Sequence, residues 1–281
     1  MLVIVDYHMG NLHSVKKKLD FLKVDSVISS DPAVILNASK LILPGVGHFG
    51  QAMENLRKLN LIGGPVTVER ALFKSLNTAA VRLAQAVGPR AIVDTAHRLG
   101  ITEDLKPELS LALGSGEVTL LELSGAYAPF ANGGFGVTPY AITMITDRDG
   151  KILYKRGGGG FGRVMETETV AIMNRMMSQV LAQGTGTAAA FGFPAAGKTG
   201  TSSDFRDAWM MGFTTDYITG VWVGNDEGAG MKGVTGGGLP ALIWRDVMTE
   251  AHTGRSPHYL PGTEPEREDF IGRFLDVFSK S

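Results

Sequence analysis

The sequence predicts two partial domains of different class. An α/β fragment, half of a doubly wound parallel sheet, occupies residues 1–62, and an α+β fragment with an antiparallel sheet occupies residues 63–253. Three observations support this. Residues 1–62 alternate short apolar runs with segments of helical period. At "LNLIGGPVTVERAL" the pattern changes to successive helices followed by hairpin-type strands. Near the end stands a Lys-Thr-Gly-Thr strand, Lys198–Thr201. The remainder, 254–281, is rich in Pro, Glu and Arg and is expected to be a loosely ordered tail.

In the first fragment "LVIVD" (Leu2–Asp6) is a continuous apolar run of the kind buried in a parallel sheet. Asn11 can cap a helix whose apolar positions Leu12, Val15, Leu19 and Leu22 recur at helical spacing. "VDSVI" reads as a second strand. Ser30-Asp31-Pro32 opens a short helix with Pro in its first turn. "KLILPGVG" is a third strand ending in a Gly-rich turn, and "HFGQAMENLRKLNL" a further amphipathic helix. Three strands make only half of such a sheet and leave an edge unprotected.

In the second fragment, helices are expected over Thr67–Leu76, Thr78–Val87 and Pro89–Leu99, the last two stopped by Gly88 and Gly100. Thr119 and Glu122 form a capping-box pattern for a helix ending at Asn132-Gly133-Gly134. "VTPYAITMITDRDGKILYKR" reads as a hairpin turning at Asp149-Gly150. "KRGGGGFGRV" lacks the strand–turn–helix context of a phosphate cradle and reads as a loop. A helix over Glu166–Ala182 leads to Lys198–Thr201, then two strands in "DAWMMGFTTDYITGVWVGND" and a final helix in "LPALIWRDVMTEAH". Met173, Met176, Met177, Met210 and Met211 read as core packing.

Composition excludes several functions. The 281 residues are 44% hydrophobic and 20% charged, as in a folded soluble protein. A formal net charge of -1 gives no electrostatic reason to expect nucleic acid or an anionic membrane as a partner. With no Cys, thiolate metal sites and a cysteine nucleophile are excluded. The histidines, His252 and His258 among them, lack ligand spacing, so neither metal nor cofactor is expected. No signal-peptide pattern or membrane-length apolar run is found, and the sequence as written is expected to stay in the cytoplasm.

The lysine strand raises the question of a serine. Acyl-transfer sites of the Ser-x-x-Lys type bring together a nucleophile with its Lys one helical turn on, a Ser-x-Asn turn and a Lys-Thr-Gly strand. Here Ser75-Leu76-Asn77 supplies the second and Lys198-Thr199-Gly200-Thr201 the third. "GPVTVERALFKSLNTAAVRLAQAVG", "LALGSGEVTLLELSGAYAPFANGG", "GTGTAAAFGFPAAGKTGTSSDFRDAWMMGFT" and "GVWVGNDEGAGMKGVTGGGLPALIWRDVM" carry a resemblance. Residues from about Gly64 to His252 resemble the C-terminal part of a class A penicillin-binding protein transpeptidase domain. That implies a penicillin-binding/serine β-lactamase-like fold and peptidoglycan cross-linking at D-Ala-D-Ala stem peptides, with acylation by β-lactams. It implies supporting catalytic roles for Ser75, Asn77 and Lys198, and carboxylate or backbone binding at Thr199, Gly200 and Thr201. It also implies work on the outer face of the cytoplasmic membrane. The family's Ser-x-x-Lys helix lies upstream of Ser-x-Asn, where this sequence has only "SVKK" (Ser14–Lys17), on a helix of the other fragment. The nucleophile is therefore expected to be missing and the fragment inactive as written.

Residues 1–62, through "LPGVGHFGQAM" above all, resemble the glutaminase subunit of imidazole glycerol phosphate synthase, a class I glutamine amidotransferase. The resemblance implies that Pro44-Gly45-Val46-Gly47 is the remnant of an oxyanion loop, with Gly45, Val46 and Gly47 as backbone donors, and that a synthase cyclase subunit is the partner. His8 stands where Gly is expected, and His48 reads as a solvated helix-start residue. The match ends before the family's Cys nucleophile, so glutamine hydrolysis is not expected. Three readings follow: a transpeptidase-family fragment, an amidotransferase subunit of histidine biosynthesis, or a non-functional fused or misassembled chain joined near Leu61–Gly64.

Overall fold

The apolar run at the N-terminus forms β1 (Leu2–Val5), the central strand of a parallel sheet between β2 (Ser26–Ser29) and β3 (Lys40–Ile42). The structure, a computed structural model, describes residues 1–45, 49–59 and 66–265. The chain divides into two compact units, Met1–Thr67 and Val68–Ser281. This division falls a few residues beyond the 62/63 boundary expected from the change of sequence pattern, and the Leu61–Gly64 junction lies outside the described residues, as do Val46, Gly47 and His48.

In the first unit α1 (Leu12–Phe21) starts where Asn11 Oδ1 accepts the Ser14 amide at 3.0 Å. Asp31 likewise caps α2 (Pro32–Leu36) through the Ala33 amide at 2.8 Å. Val3, Val5 and Tyr7 pack with Ile35 and with Leu56 of α3 (Phe49–Lys58). The flanking strands are less covered. Val27 and Leu41, which sit in register with Val3 on either side of it, remain 44% and 52% exposed. His8 has a φ of 63°, the left-handed region that Gly occupies without steric penalty, so the unexpected His sits in a strained backbone.

The second unit opens with α4 (Val68–Phe73), α5 (Asn77–Val87) and α6 (Pro89–Arg98). Gly88 and Gly100 adopt φ of 85° and 106° at the ends of α5 and α6. The first of these helices is shorter than expected because Ser75 turns left-handed two residues after Phe73. Then come α7 (Leu120–Ala131), the hairpin β4 (Met144–Thr146) and β5 (Ile152–Lys155), and α8 (Thr167–Ala182). The capping box of α7 is formed in full, and Glu122 also accepts the Thr102 hydroxyl and amide, which hold its carboxyl below the usual range. An antiparallel sheet ordered β6-β7-β8 follows, from β6 (Ala196–Thr201), β7 (Asp207–Phe213) and β8 (Ile218–Gly224), and α9 (Leu239–Ala251) closes the unit.

Two clusters hold this sheet to its helices. Phe73, Val180, Met210, Trp244 and Met248 form one, and Phe130, Met177, Phe213 and Leu260 the other. Of the methionines expected in the core, Met177, Met210 and Met211 are buried and Met173 packs against the second cluster, whereas Met176 is only partly buried and belongs to neither cluster.

Leu260 corrects the expectation of a loose tail from Gly254. Its side chain is fully buried, and the Asn174 amide donates to the Pro261 carbonyl at 3.1 Å and to the Phe130 carbonyl at 3.0 Å. One apolar residue in a polar stretch suffices to dock the segment. Residues 266–281 lie outside the described residues. Leu260→Ala is expected to lower unfolding free energy by about 2–4 kcal/mol, measured by urea denaturation. A loss within error of zero would mean that the segment is not docked in solution.

Candidate active site

Ser75 lies in the turn between α4 and α5, with φ of 54° and its amide bonded to the Leu72 carbonyl at 3.0 Å. The Leu76 amide donates to the Ala71 carbonyl at 2.8 Å, closing the turn so that Asn77 begins α5. Ser75 and Asn77 are both exposed. The Ser-x-Asn triplet is thus a sharp helix–helix corner that presents its polar side chains to solvent.

Lys198 reaches this corner from β6. Its ammonium donates to Ser75 Oγ at 2.9 Å and to the Thr199 carbonyl at 2.8 Å. The side chain is half-buried, and burial lowers its pKa to about 8 from the ordinary 10.5. At neutral pH the ammonium and neutral amine are therefore separated by only a small free energy. This amine can act as donor and as base within reach of one hydroxyl.

Thr199 and Thr201 point away from the Lys198 face, as strand alternation requires. Thr199 is only 8% exposed and its Oγ1 lies 2.5 Å from Thr185 Oγ1. That hydroxyl is engaged within the protein. Thr201 is exposed, and its Oγ1 accepts the Gly236 amide at 3.1 Å. A Cβ on Gly236 would meet the Gly200 carbonyl oxygen at 2.4 Å, so the 236–238 loop approaches β6 at a distance only glycine allows. Sequence reasoning misses Thr185 and Gly236 as site residues. Both sit in stretches, "GTGT" and "TGGGL", whose small residues signal close backbone approach.

Beyond Thr201 the chain turns through Asp204 and Phe205, with φ of 59° and 55°. The Met231 amide holds the Phe205 carbonyl at 3.0 Å. Ser202 Oγ donates to Asp207 Oδ2 at 2.9 Å, and Trp222 Nε1 donates to Asp207 Oδ1 at 3.0 Å, which ties β6, β7 and β8 together at this end. The open groove of about 660 Å³ beside the β4–β5 hairpin is lined by Tyr140, Thr143, Lys155, Arg156 and neighbouring glycines, none of them site residues.

Ser14 and Lys17 belong to α1 in the first unit and are both exposed. They read as part of a solvated helix face. Gly45 lies at the end of the described segment after β3, and a Cβ there would meet open space.

An antiparallel sheet backed by helices, with a Lys-Thr-Gly-Thr edge strand bonded to a Ser-x-Asn corner, defines the penicillin-binding and serine β-lactamase-like class of fold. The profile of the penicillin binding protein transpeptidase domain matches residues 47–248, starting upstream of the Gly64 at which the sequence resemblance begins. The chain belongs to this family. It is 33% identical over 231 residues to penicillin-binding protein 1A of Neisseria meningitidis, covering 79% of this chain and 29% of that protein. It is 38% identical over 186 residues to penicillin-binding protein 1A of Aquifex aeolicus, covering 66% of this chain and 26% of that protein. The chain thus spans under a third of the length of these relatives. The structure is similar to that of PonA1 from Mycobacterium tuberculosis in complex with penicillin V. The TM-score is 0.66 at 26% identity, over 71% of this chain and 60% of that one. Penicillin-binding protein 1A from Haemophilus influenzae shares the fold at a TM-score of 0.64 and 24% identity, over 70% of this chain and 36% of that one. No described helix is long and apolar enough to cross a membrane.

Proposed function

We propose that residues 63–253 are the Lys-Thr-Gly side of a transpeptidase site, which recognises the D-Ala-D-Ala terminus of peptidoglycan stem peptides and its β-lactam mimics. The observation that carries this reading is the 2.9 Å bond from Lys198 to Ser75, which joins the two motifs across 123 positions of sequence. Lys198 attracts the anionic terminus of the ligand, and Asn77 orients its peptide amide. Thr201 supplies a hydroxyl to the carboxylate. Thr199 joins it only if the ligand displaces Thr185 as hydrogen-bond partner. The outer edge of β6 has no strand partner among the described residues, which leaves its backbone free to pair with an extended ligand.

In this reading the family's route of acyl transfer is interrupted. The single Ser-x-x-Lys string upstream of Ser75 is Ser14–Lys17, a solvated face of the first unit. Binding is then reversible and weak, with a dissociation constant on the order of a millimolar. Where the family functions, this site faces peptidoglycan on the outer side of the cytoplasmic membrane. Equilibrium dialysis against a labelled penicillin should show saturable binding that Lys198→Met and Thr201→Val each weaken about tenfold. Unsaturable uptake would sink the reading, and a covalent adduct on Ser14 would overturn its assignment to a solvated face.

A second reading concerns the first unit alone. Its parallel order β2-β1-β3 supports half of an amidotransferase-like α/β sheet, and Gly45 would be the described part of an oxyanion-loop remnant. The absence of Cys leaves it without that family's nucleophile. Together the two readings make the chain a fusion of incomplete domains. An uninterrupted DNA read across the codons for Leu59 to Val68 tests this: two separate genes there would dissolve the fusion into its parents.

A further inference from the structure

We propose that Ser75 is itself a nucleophile, served by Lys198 as general base, and that the chain transfers acyl groups from small activated esters to Ser75 Oγ and then to water. The inference rests on the geometry of this pair and not on recognition of any peptidoglycan ligand.

Three features meet at Ser75. Its hydroxyl is exposed and lies 2.9 Å from the Lys198 nitrogen, the separation at which a base can take its proton. It sits at a left-handed, non-glycine backbone position, φ 54°, in a sharp turn leading directly into a helix. Strain of this kind projects a nucleophilic side chain clear of the surrounding chain. The helix it enters has no side-chain cap, and the Asn77 and Thr78 amides find no acceptor among the described residues. Two N–H donors are thus available in the same turn for an oxyanion.

The base is poised by its surroundings. Burial alone lowers the Lys198 pKa, to about 8, with no charged side chain contributing. Lys74, next to Ser75, donates to the Gln183 carbonyl at 2.9 Å. On α8, which packs against β6, Glu168 and Arg175 are exposed, and on β7 Asp207 is engaged by Ser202 and Trp222.

With p-nitrophenyl acetate the neutral Lys198 amine takes the Ser75 proton as Oγ bonds to the acyl carbon. The carbonyl electron pair moves to oxygen beside the α5 amides. Its return breaks the carbon–oxygen bond to p-nitrophenolate, which leaves with that electron pair, and the lysine releases its proton to solvent. Water then adds to the acyl carbon, giving a proton to Lys198. Ser75 leaves and recovers that proton. The net change is ester plus water to acetate and nitrophenol, with no further reactant.

The test uses the full chain, p-nitrophenyl acetate, intact mass and peptide mapping. A single acetyl group on Ser75 is expected, with acylation accelerating as pH rises through about 8. Ser75→Gly is suited to the left-handed position and keeps the fold, so loss of the adduct in that variant reports chemistry. Lys198→Met should slow Ser75 acylation about 100-fold and remove the rise near pH 8. An acetyl group mapped to Lys198 or scattered over surface lysines, or a Ser75→Gly protein acylated like the parent, overturns the proposal. Penicillin dialysis is read separately, so either result can fail alone.

Discussion

Trp244→Ala is expected to lower the unfolding free energy by about 3–5 kcal/mol, at the upper end of single-residue effects. Trp244 on α9 is fully buried, and its ring lies against β7: a Cβ added at Gly212 would meet Trp244 Cζ2 at 2.6 Å. Its Nε1 donates to the Thr219 carbonyl on β8 at 2.9 Å, and Phe191 meets the ring edge-on with centroids 5.6 Å apart. Removing the ring opens a cavity and takes the indole hydrogen bond from the Thr219 carbonyl, and the two effects add. Urea denaturation followed by circular dichroism measures the loss. Trp244→Phe separates the terms: it keeps most of the volume and should lose only about 1–2 kcal/mol. Equal losses in the two variants would place the energy in the hydrogen bond and refute the packing account.

Lys198→Met should stabilise the second unit at neutral pH while removing the chemistry proposed for it. The sign follows from burial. The native pKa lies near 8 and the unfolded value near 10.5. Below pH 8 both states hold the proton and the native state bears the desolvated ammonium. Between these values the unfolded chain binds more protons, so stability rises with pH, and above them the contribution is level. The full swing is about 3 kcal/mol by linkage, reduced to about 1–2 kcal/mol for a half-buried group that keeps hydrogen bonds to Ser75 and Thr199. Thermal melts between pH 7 and 10 should therefore rise in the parent relative to Lys198→Met, with the variant more stable at pH 7. A parent curve parallel to the variant's would mean that Lys198 is solvated in solution. Such an exchange of stability for a poised side chain is the usual mark of a working site.

Much of the fold was legible because local chemistry and tertiary structure agree. The LVIV run is central in its sheet, Thr119 and Glu122 close their capping box, and Gly88 and Gly100 end their helices where left-handed backbone is needed. The motifs were legible for the same reason, since Ser75 and Lys198 are fixed by short spacings. What could not be read depends on partners distant in sequence. Thr199 looks free to meet a ligand until Thr185 is seen against it. Leu260 looks like one apolar residue in a loose tail until the Asn174 amide is found holding the next carbonyl. Ser75's left-handed turn has no sequence signal, because Ser is not a residue that announces positive φ.

The parallel sheet of the first unit ends, among the described residues, at β2 on one side and β3 on the other, with Val27 and Leu41 in the open. Completing a strand ladder from within one chain is a first-order event, whereas completing it from a neighbour is second-order. A sheet that offers two docking rows can add one molecule to each and so grow without closing. Self-association is therefore expected to rise with concentration, and sedimentation of the protein over a dilution series measures it.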